Sequence, residues 1–599
     1  MKISKLYSNK SEVFIPIIFN KGLNAILAEI RLLENKKKDT HNLGKTTLCH
    51  LINFCLLATK KQDFFLFKNM NVFKDFVFYI EIYLLDGSFL TIKRSVENAT
   101  KISFKKSDVS NQDFSSLPDI EWDHLDVPFE TAKELFDGQL DLETIKPWDF
   151  RTALGYLLRS QDDFRNIFQV SKFTQSKHVN WKPYLAHIMG FDADLILEHY
   201  KVKADLKAKQ DIEQTLSSEL DSSLDNLSKI EGMMSIKKKD IDKKQKFLDE
   251  FDFRSQDIEK TKELVDELDI MIADLNTRRY YLEQDKKKID ISLEEDQILF
   301  DPNDAHELFA EAGVLFDGQI KKSFEQLIEF NRSITKERRE YLVKESKDIS
   351  QELDEINKKL NRLGLDRSRN LSFLSESDLV NKYKMFSNEM VNLKADVKYL
   401  ETQRERLERL NLLRKDIRSL TDKREKLQDA IENDYQKQCS NENSLFSSIQ
   451  LYFNEIISEV LDKEALLSIS INKEYHLEFA AEIIDKSGKR TSEGKGHTYQ
   501  KLLCIAFDLA IARAHSRDKF PHFVFHDGVF ESLDKRKKEN LLNVLRKYTE
   551  KYNIQEIITL IDSDLPSLEG EASILTSDET ILLLHDEGDN GRLFRIPPW

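Results

Sequence analysis

The amino-acid sequence predicts an α/β head that is assembled from both ends of the chain and joined by a long antiparallel coiled-coil hairpin. The first observation is the placement of proline, which breaks helices because it lacks a backbone donor and clashes with the preceding turn. Of the ten prolines in 599 residues, only Pro302 lies between Pro183 and Pro521. The second observation is a seven-residue apolar period in this tract, and the third is a pair of flanks with the pattern of buried strands followed by helices.

Composition favours a compact part combined with a solvent-rich helical part. Hydrophobic residues make up 40% of the chain and charged residues 33%, while aromatic residues at 10% argue against disorder. The formal net charge of -15 excludes a uniformly basic nucleic-acid wrapper, although local basic patches could still hold phosphates. A chain of 599 residues is too long for one ordinary core, so several units are expected.

The sequence has no pattern of a signal peptide, and no run approaches the roughly 18 apolar residues that a membrane helix needs. Its four cysteines, Cys49, Cys55, Cys439 and Cys504, show no metal-ligand spacing. Free cysteines of this kind favour a reduced compartment. We therefore expect a cytoplasmic protein with no membrane partner, and association with the nucleoid stays open.

The apolar period divides the central tract into two arms of nearly equal length. Glycine is as rare as proline here: only four glycines fall between residues 195 and 437. Equal arms around a centre that contains proline and glycine allow the chain to fold back on itself. The predicted divisions are a head segment over 1–194, an ascending arm over 195–297, an apex over 298–333, a descending arm over 334–437 and a second head segment over 438–599.

The apolar seam is interrupted at two places, 251–257 and 370–378, which lie at similar distances from the apex. We therefore predict an elbow where these two places meet. Two other interpretations stay open, namely two unrelated helical bundles and a parallel dimeric coiled coil. The seam of the ascending arm comprises Leu227, Met234, Ile241, Leu248, Ile258, Val265 and Ile272 with Leu268, Leu275, Leu282 and Ile289, and that of the descending arm comprises Leu410, Leu413, Ile417, Leu420, Leu427 and Ile431.

The N-terminal flank has the pattern of a phosphate-binding loop. A buried strand over 22–30 is followed by a polar connection and then by Gly44, Lys45, Thr46 and Thr47 at the start of an apolar helix. In such a loop, backbone N–H groups and the helix N-terminus hold phosphate oxygens. The lysine reaches the β- and γ-phosphates, and the first threonine hydroxyl binds Mg²⁺.

This loop motif is degenerate. Asp39 replaces the leading glycine, and His41 and Asn42 stand where many relatives have Asn-Gly. A chance Gly-Lys-Thr therefore stays open as an alternative. Further along, the segment over 75–96 predicts a β-hairpin that turns at Asp86-Gly87. The segment over 150–164 is apolar and ends in a polar stretch that contains Gln161, for which an ordinary polar loop stays open as the alternative.

The C-terminal flank carries a buried strand that ends at an acidic residue. The segment PHFVFHD ends at Asp527, whose carboxylate suits a Mg²⁺ ligand. Seven residues later, Ser532, Leu533 and Asp534 precede a helix. Upstream, Ser492, Gly494 and Gly496 precede an apolar helix, for which an ordinary glycine loop is the alternative interpretation.

These motifs resemble those of SMC and RecN-like ATPases, in which a coiled-coil hairpin joins two halves of an ABC-type P-loop head. More narrowly, the chain resembles the SMC-like ATPase subunits of bacterial ABC-three-component and Lamassu-type defence systems. The likeness covers nearly the whole chain. It is carried by the segments DTHNLGKTTL, LGYLLRSQDDF, FAEAGVLFDGQIKKSFEQLIEFNRSITKERREYL, HFVFHDGVFESLDKR and HDEGDNGRLFRI.

The resemblance implies roles for individual residues in binding ATP and Mg²⁺. The 492–496 loop would be the signature loop that faces the γ-phosphate held by the opposite head of a homodimer. The implied catalytic residues are Asp527, Gln161, Glu531 and Asp534; the implied nucleotide contacts are His41, Asn42, Gly44, Lys45, Thr46, Thr47, Ser492, Gly494 and Gly496; and the implied Mg²⁺ ligands are Thr46, Gln161 and Asp527.

Two departures from the ABC pattern bear on hydrolysis. Gly528 stands where many ABC ATPases have the catalytic glutamate, and the strand over 555–564 lacks the usual switch histidine. Either Glu531 acts as the base, or Gln161 and Asp534 position the water. Slow or partner-dependent hydrolysis is therefore expected. We assign no zinc to His522 and His526, although they lie four residues apart.

The resemblance implies an ATPase that engages DNA in an anti-phage or anti-plasmid complex, together with accessory and nuclease-type effector subunits. One alternative is a DNA-repair or chromosome-organising ATPase. Another is a nucleotide-binding coiled-coil adaptor without turnover. Basic clusters over 278–288 and 336–344 could contact DNA phosphates in a salt-dependent way, although a solvated coil face is the simpler interpretation.

Overall fold

The computed structural model describes residues 1–32, 43–170, 176–218, 226–249, 256–294, 318–372, 378–485, 496–565, 574–597 and 599. The chain forms two compact units. The first unit contains Met1–Asp205 together with Thr421–Trp599, so both ends of the chain share it, and the second contains Leu206–Leu420.

Strands lie only in the first of these units, as far as the described residues extend. They form a parallel sheet, an antiparallel sheet and a separate hairpin. The strands are β1 (Lys2–Ser8), β2 (Ile17–Ile18), β3 (Leu23–Glu29), β4 (Val77–Tyr83), β5 (Phe89–Ser95), β6 (Lys101–Ser107), β7 (His124–Pro128), β8 (Leu158–Arg159), β9 (Glu464–Ile471), β10 (Leu477–Ile484), β11 (Phe523–His526), β12 (Gln555–Ile561) and β13 (Thr580–His585).

The helices are distributed over both units. Those of the N-terminal segment are α1 (Lys45–Cys55), α2 (Phe65–Lys68), α3 (Met70–Phe73), α4 (Phe129–Leu140), α5 (Phe150–Leu157) and α6 (Lys182–Ile188). Long helices follow as α7 (Ala193–Ser218), α8 (Leu227–Asp249), α9 (Gln256–Glu294), α10 (Gly318–Ser372) and α11 (Asp378–Ser440). The C-terminal segment adds α12 (Leu445–Leu461), α13 (His497–Ala514) and α14 (Lys535–Tyr552).

The parallel sheet interleaves strands from the two ends of the chain. Its order is β13-β3-β12-β11-β8, in which β3 and β8 come from the N-terminal segment and the other three from the C-terminal segment. All four pairings are parallel. The central strands are buried over nearly their whole length, as expected for a parallel sheet that is covered on both faces.

The antiparallel sheet has the order β2-β1-β4-β5-β6-β7. The predicted hairpin over 75–96 is confirmed as β4 and β5, which pair from Val77 opposite Ser95 to Tyr83 opposite Phe89. Gly87 adopts φ 88° in the turn, a left-handed conformation that glycine tolerates without steric cost. Aromatic side chains of this region form part of the largest core of the first unit.

The second unit is built from long helices whose ion pairs define their directions. Lys237 pairs with Asp396 at 2.5 Å, and Lys244 pairs with Glu389. As residue numbers increase along α8, the numbers of the contacting residues in α11 decrease, so the two helices are antiparallel. Apolar contacts continue the same pairing, since Met234 shares a buried cluster with Leu407.

Helix α9 lies beside the same helix α11 but runs in the opposite direction to α8. Asp274 pairs with Lys398 at 3.3 Å, and the Tyr281 hydroxyl lies 2.6 Å from that of Thr402. As residue numbers increase along α9, the numbers of the contacting residues in α11 also increase, so these two helices are parallel. The chain therefore reverses direction between α8 and α9.

Helix α9 also pairs with α10, and this pair is antiparallel. Arg278 contacts Glu352 at 2.9 Å, and Ser346 contacts Asp290 at 3.1 Å. The arm made by α9 and α10 is thus folded back along the arm made by α8 and α11. Of the predicted apex over 298–333, residues 298–317 lie outside the described part of the chain, and 318–333 belong to α10.

The reversal occurs where the apolar period is interrupted. Helix α8 ends at Asp249 and α9 begins at Gln256, while α10 ends at Ser372 and α11 begins at Asp378. The flanking side chains of all four helices meet in one buried cluster: Leu248, Val265, Leu371, Tyr383 and Met390. The helices that flank the two interruptions therefore meet in one cluster, while the interruptions themselves lie mostly outside the described residues and stay the predicted place of the elbow.

A buried polar group lies next to this elbow. Arg367 of α10 contacts Asp269 of α9 and donates to Ser387 of α11 at 2.7 Å, and all three residues are buried. A buried charge is tolerated only when it is paired and hydrogen-bonded. The group therefore favours one register of the three helices over slipped alternatives.

In the first unit, two residues of α7 pack against His476, which precedes β10. The ring of Tyr200 stacks on that of His476 with centroids 4.4 Å apart, and the ring of His199 lies 5.8 Å away. Burial and the nearby charge of Lys203 lower the pKa of His476 to about 4. This histidine is therefore neutral in the folded protein at neutral pH.

We expect the first unit to lose stability as the pH falls from about 6.5 towards 4. The folded-state pKa of His476 is below that of an unfolded histidine, so the unfolded chain binds more protons in this window. The stability is present above about pH 6.5 and is lost below it, by roughly 2 kcal/mol for this residue. Urea midpoints followed by tryptophan fluorescence would measure it, because all four tryptophans lie in this unit.

His476→Phe serves as the matched variant for this pH dependence, because it keeps a ring against Tyr200 and removes the titrating group. The drop in urea midpoint between about pH 7 and about pH 5 should be smaller in this variant than in the natural protein. An equal drop in both proteins would show that other groups cause the acid sensitivity.

In the part of the chain that the structure describes, none of the helices has the length and apolar character needed to cross a membrane.

Candidate active site

The carboxyl ends of the parallel strands gather polar residues at one edge of the sheet. Gln161 follows β8, Asp527 follows β11, and Asp562 follows β12. The N-terminus of α1 lies at the same edge, because α1 follows β3 along the chain and Thr46 contacts Asp527. Ligands of open parallel sheets bind at this edge, which makes it the candidate site.

The first turn of α1 is suited to an anion. Gly44 is its N-cap with φ 105°, and a Cβ there would lie 2.6 Å from Cβ of Leu593, so no other residue fits without a shift. The first turn contains no acidic side chain, and the free backbone N–H groups and the helix dipole favour negative charge. His41 and Asn42 lie outside the described residues, and Thr47 is in the first turn.

Lys45 is the first residue of α1 and is half-buried. Burial lowers the pKa of Lys45, while the negative charges of Asp527 and Glu531 act in the opposite direction. Burial disfavours the charged form of a lysine, so a further anion beside the Lys45 ammonium group would stabilise it.

The far end of α1 is fixed by the buried Arg94 and the half-buried Arg151. Arg94 Nη1 donates to the carbonyl oxygens of Phe54 and Ala58, and Arg151 Nη1 donates to that of Leu56 at 2.8 Å. The last carbonyls of a helix have no intrahelical donor and carry partial negative charge. The two guanidinium groups satisfy them and hold the helix in place.

Thr46 and Asp527 are the central contact of the site. Thr46 Oγ1 donates to Asp527 Oδ2 at 2.6 Å across 481 positions of sequence. The other carboxylate oxygen accepts from Thr559 of β12, and Asp527 is fully buried. Hydroxyl and carboxylate oxygens are the donors that Mg²⁺ prefers, so this pair fits the predicted metal.

Gln161 and Glu531 meet beside Gly528. Gln161 Nε2 donates to Glu531 Oε1 at 2.9 Å. Gly528 adopts φ 69°, and a Cβ at this position would lie 2.8 Å from Glu531 Oε1 and 3.1 Å from Gln161 Nε2. The Glu531 carboxylate thus fills the space next to Asp527 that a side chain at position 528 would enter.

Lys501 of α13 completes this group, and no sequence pattern pointed to it. Its side chain is buried; Nζ donates to the Gly528 carbonyl oxygen at 2.6 Å and lies 3.4 Å from Glu531 Oε2. The lysine therefore holds both the backbone turn after Asp527 and the carboxylate of Glu531.

Asp534 lies apart from these groups in the described contacts of the chain. Its side chain caps α14 by accepting from Lys537 N at 3.1 Å, and it pairs with Lys537 Nζ at 2.8 Å. Ser532, two residues before it, adopts φ 66°. Within a single chain, Asp534 has the role of an N-cap.

The predicted signature loop is only partly described. Ser492 and Gly494 lie outside the described residues, whereas Gly496 is the N-cap of α13. From Lys501 to Ala512 this helix is buried throughout. The contact of the 492–496 loop with the head of a second chain stays a prediction.

Beneath the site lies a buried network of charges that sequence analysis did not identify. Arg159 forms a two-pronged ion pair with Asp508 of α13, and His526 lies between Asp508 at 3.2 Å and Glu556 at 2.6 Å. Burial lowers the pKa of His526, but the two carboxylates outweigh it and raise the pKa to about 9. Burial also raises the pKa of Glu556, against the opposing effect of His526. The network joins β8, β11, β12 and α13.

Comparison with known proteins gives a family match over part of the chain. Residues 454–598, less than half of the chain, match a family described as uncharacterised proteins conserved in bacteria (DUF2326). No curated protein matches the chain.

Among solved structures, the chain is similar to SMC heads. The Smc head domain with a coiled coil and joint from Pyrococcus yayanosii is 14% identical, with 93% of this chain and 92% of that chain covered and a TM-score of 0.36. The Smc head domain with an extended coiled coil bound to the C-terminal domain of ScpA, from Pyrococcus furiosus, is 14% identical, with 94% and 90% covered and a TM-score of 0.31. A SmcHead bound to the C-winged helix domain of ScpA is 10% identical, with 98% and 94% covered and a TM-score of 0.32.

Proposed function

We propose that this chain is an SMC-like protein that binds and hydrolyses ATP with Mg²⁺. The observation that carries the proposal is the contact between Thr46 and Asp527, which joins the start of α1 to the end of β11. Lys45 lies at the same helix end, and Gln161 and Glu531 lie beside the turn after Asp527. This is the residue set expected of a P-loop ATPase.

Each group has a definite task in the proposed reaction. The N-terminus of α1 and Lys45 bind the phosphates, and Thr46 and Asp527 would hold Mg²⁺, which neutralises charge on the phosphate oxygens when bound. Lys501 keeps the turn at Gly528 in place, so that Asp527 stays aimed at the helix end.

Glu531 is the base in this proposal. Its Oε1 accepts the hydrogen bond of the Gln161 amide, which leaves the Gln161 carbonyl oxygen to orient the attacking water. The carboxylate would then accept a proton from that water as it attacks the γ-phosphate. In this proposal the catalytic glutamate is at position 531 and not at position 528, because the Glu531 carboxylate occupies the space beside Gly528.

The wider role that we propose follows the resemblance of the sequence motifs. Two heads would form a homodimer, with Lys45, Thr46 and Asp527 of one chain facing the 492–496 loop of the other. The dimer would engage DNA and control accessory and nuclease-type effector subunits in an ABC-three-component or Lamassu-type defence complex. Replication of phage or plasmid in cells that carry the natural operon would test this role.

Lys45→Ala tests the ATPase itself. We expect ATP turnover of the co-purified operon products, with and without linear DNA, to fall at least about 100-fold, because the phosphates lose their main cationic partner. Lys74→Ala is the control, since Lys74 pairs with Glu97 on the surface, where both side chains are more than half exposed, and its loss should leave turnover unchanged. Full defence activity in Lys45→Ala would favour the adaptor without turnover instead.

A further inference from the structure

Gln161 lies in a short loop that is held from three directions. We name residues 160–167, which follow β8, the Gln161 loop. Gln161 itself is exposed, and its amide reaches Glu531 Oε1 at 2.9 Å. An exposed side chain keeps much of its rotamer freedom, so the place of Gln161 is set by the backbone of the loop.

The first constraint is the guanidinium group of Arg159, which immediately precedes the loop and is fully buried. An arginine has five N–H donors in a rigid fork. Two of them contact the carboxylate of Asp508. The other three donate to the carbonyl oxygens of Asp163 at 3.0 Å, Asn166 at 3.3 Å and Ile167 at 2.8 Å. One side chain therefore satisfies three carbonyl groups of the loop and fixes the course of its second half.

The second constraint is a capping box between Ser160 and Asp163. Asp163 Oδ2 accepts hydrogen bonds from the backbone N–H of Ser160 at 2.9 Å and from its hydroxyl group at 2.7 Å. The Asp163 side chain is buried, and the low local dielectric strengthens these bonds. They close over Gln161, which lies between the two residues in the chain, and fix the backbone on both sides of it.

The third constraint is Phe164, which is fully buried. Lys501 Nζ of α13 lies 5.5 Å from the centre of its ring, and the thiol of Cys504 donates to its carbonyl oxygen at 3.8 Å. Lys501 also contacts Glu531. The same helix therefore holds the loop that carries Gln161 and the carboxylate to which Gln161 donates.

Asp162 provides the contrast to Asp163. Its carboxylate pairs with Arg165 at 2.8 Å, and both side chains are at least 70% exposed. A pair of this kind contributes little to stability. The two adjacent aspartates therefore differ in role, because Asp163 is built into the loop whereas Asp162 faces solvent.

We infer that Arg159 and Asp163 are positioning residues for Gln161, an inference that rests on the proposed function. Neither side chain supplies a group to the reaction. Both hold the backbone around Gln161 before the nucleotide arrives, so that its side-chain carbonyl oxygen needs little reorganisation to orient the attacking water. Their effect is therefore on kcat, whereas the affinity for nucleotide depends on Lys45 and Thr46.

A double-mutant cycle between Asp163 and Gln161 tests the inference in the co-purified operon products. Asp163→Ala should lower kcat about 10-fold and leave KM and the Kd for Mg-ATP within a factor of two, because Gln161 is displaced while the phosphate contacts are kept. Gln161→Ala should lower kcat at least as far. In the Gln161→Ala background, Asp163→Ala should change kcat by less than about twofold, because no side chain is left to position.

Two further variants complete the experiment. Asp162→Ala is the matched control and should leave kcat unchanged, since it removes only the exposed pair with Arg165. Ser160→Ala removes one of the two hydrogen bonds to Asp163. It should lower kcat about threefold in the natural background and leave it unchanged in the Gln161→Ala background, and it decides the question if Asp163→Ala does not fold.

The inference is overturned if Asp163→Ala leaves kcat unchanged, or if it lowers kcat by the same factor in both backgrounds, since the second result is that of a purely structural residue. The same criteria apply to Ser160→Ala. Turnover in Gln161→Ala as fast as in the natural protein would also overturn it. If the natural protein itself hydrolyses no ATP, the proposed function fails instead.

Discussion

Glu531→Gln should lower ATP turnover by about 100-fold or more and leave the Kd for ATP within a factor of two. The substitution removes the carboxylate that lies beside Gly528 and Gln161 but keeps a side chain of the same shape. The amide cannot accept a proton from water, whereas the contact of Thr46 with Asp527 is untouched. Single-turnover hydrolysis together with equilibrium binding separates the two effects.

Asp534→Asn is the matched control for this prediction. Asparagine caps helices as well as aspartate does, so the variant keeps the start of α14 intact and removes only the Asp534 carboxylate. Turnover close to that of the natural protein is expected. A 100-fold loss in Asp534→Asn with unchanged turnover in Glu531→Gln would place the base at position 534, as the alternative interpretation of the sequence has it.

Asp508→Ala should destabilise the first unit by roughly 3 to 5 kcal/mol, the largest loss of stability that we expect from a single substitution. Arg159 is fully buried, and Asp508 is its anionic partner. Removal of that partner leaves a guanidinium and the His526 imidazolium without their shared anion. Urea unfolding followed by tryptophan fluorescence measures the loss, since the tryptophans report this unit alone.

Asp518→Ala is the control for the buried network. Asp518 pairs with His515 at 2.8 Å, but its side chain is half exposed, so its loss should change the free energy of unfolding by less than about 1 kcal/mol. A loss of similar size in both variants would show that the cost comes from removal of any carboxylate in this region and not from the buried Arg159.

Much of the architecture could be predicted, because it depends on patterns that repeat or on residues with distinctive backbone effects. The scarcity of proline and the apolar period predicted the long helices, and the interruptions of that period predicted the elbow. The sequence could not show that the arms fold back on each other. The direction of α9 beside α11 depends on specific contacts, such as that of Tyr281 with Thr402, and these have no periodic signature.

At the candidate site, the meeting of Thr46 with Asp527 was predicted from motif order, and the structure brings them into contact. Their role with nucleotide remains a prediction. Lys501, Asp508 and Glu556 were missed because each stands singly in an apolar helix or strand, without a partner at a recognisable spacing. A signal was nevertheless present: an acidic residue within LLCIAFDLAIA is costly to bury unless a cation meets it.

The interleaved order of the parallel sheet has a consequence for biosynthesis. Strand β3 ends at Glu29, but its neighbours β12 and β13 begin only at Gln555 and Thr580 and are therefore translated much later. At about 5 to 20 residues per second, the wait is on the order of a minute. Until β12 and β13 pair with it, β3 presents two open hydrogen-bonding edges, and open edges of this kind favour aggregation unless another segment covers them.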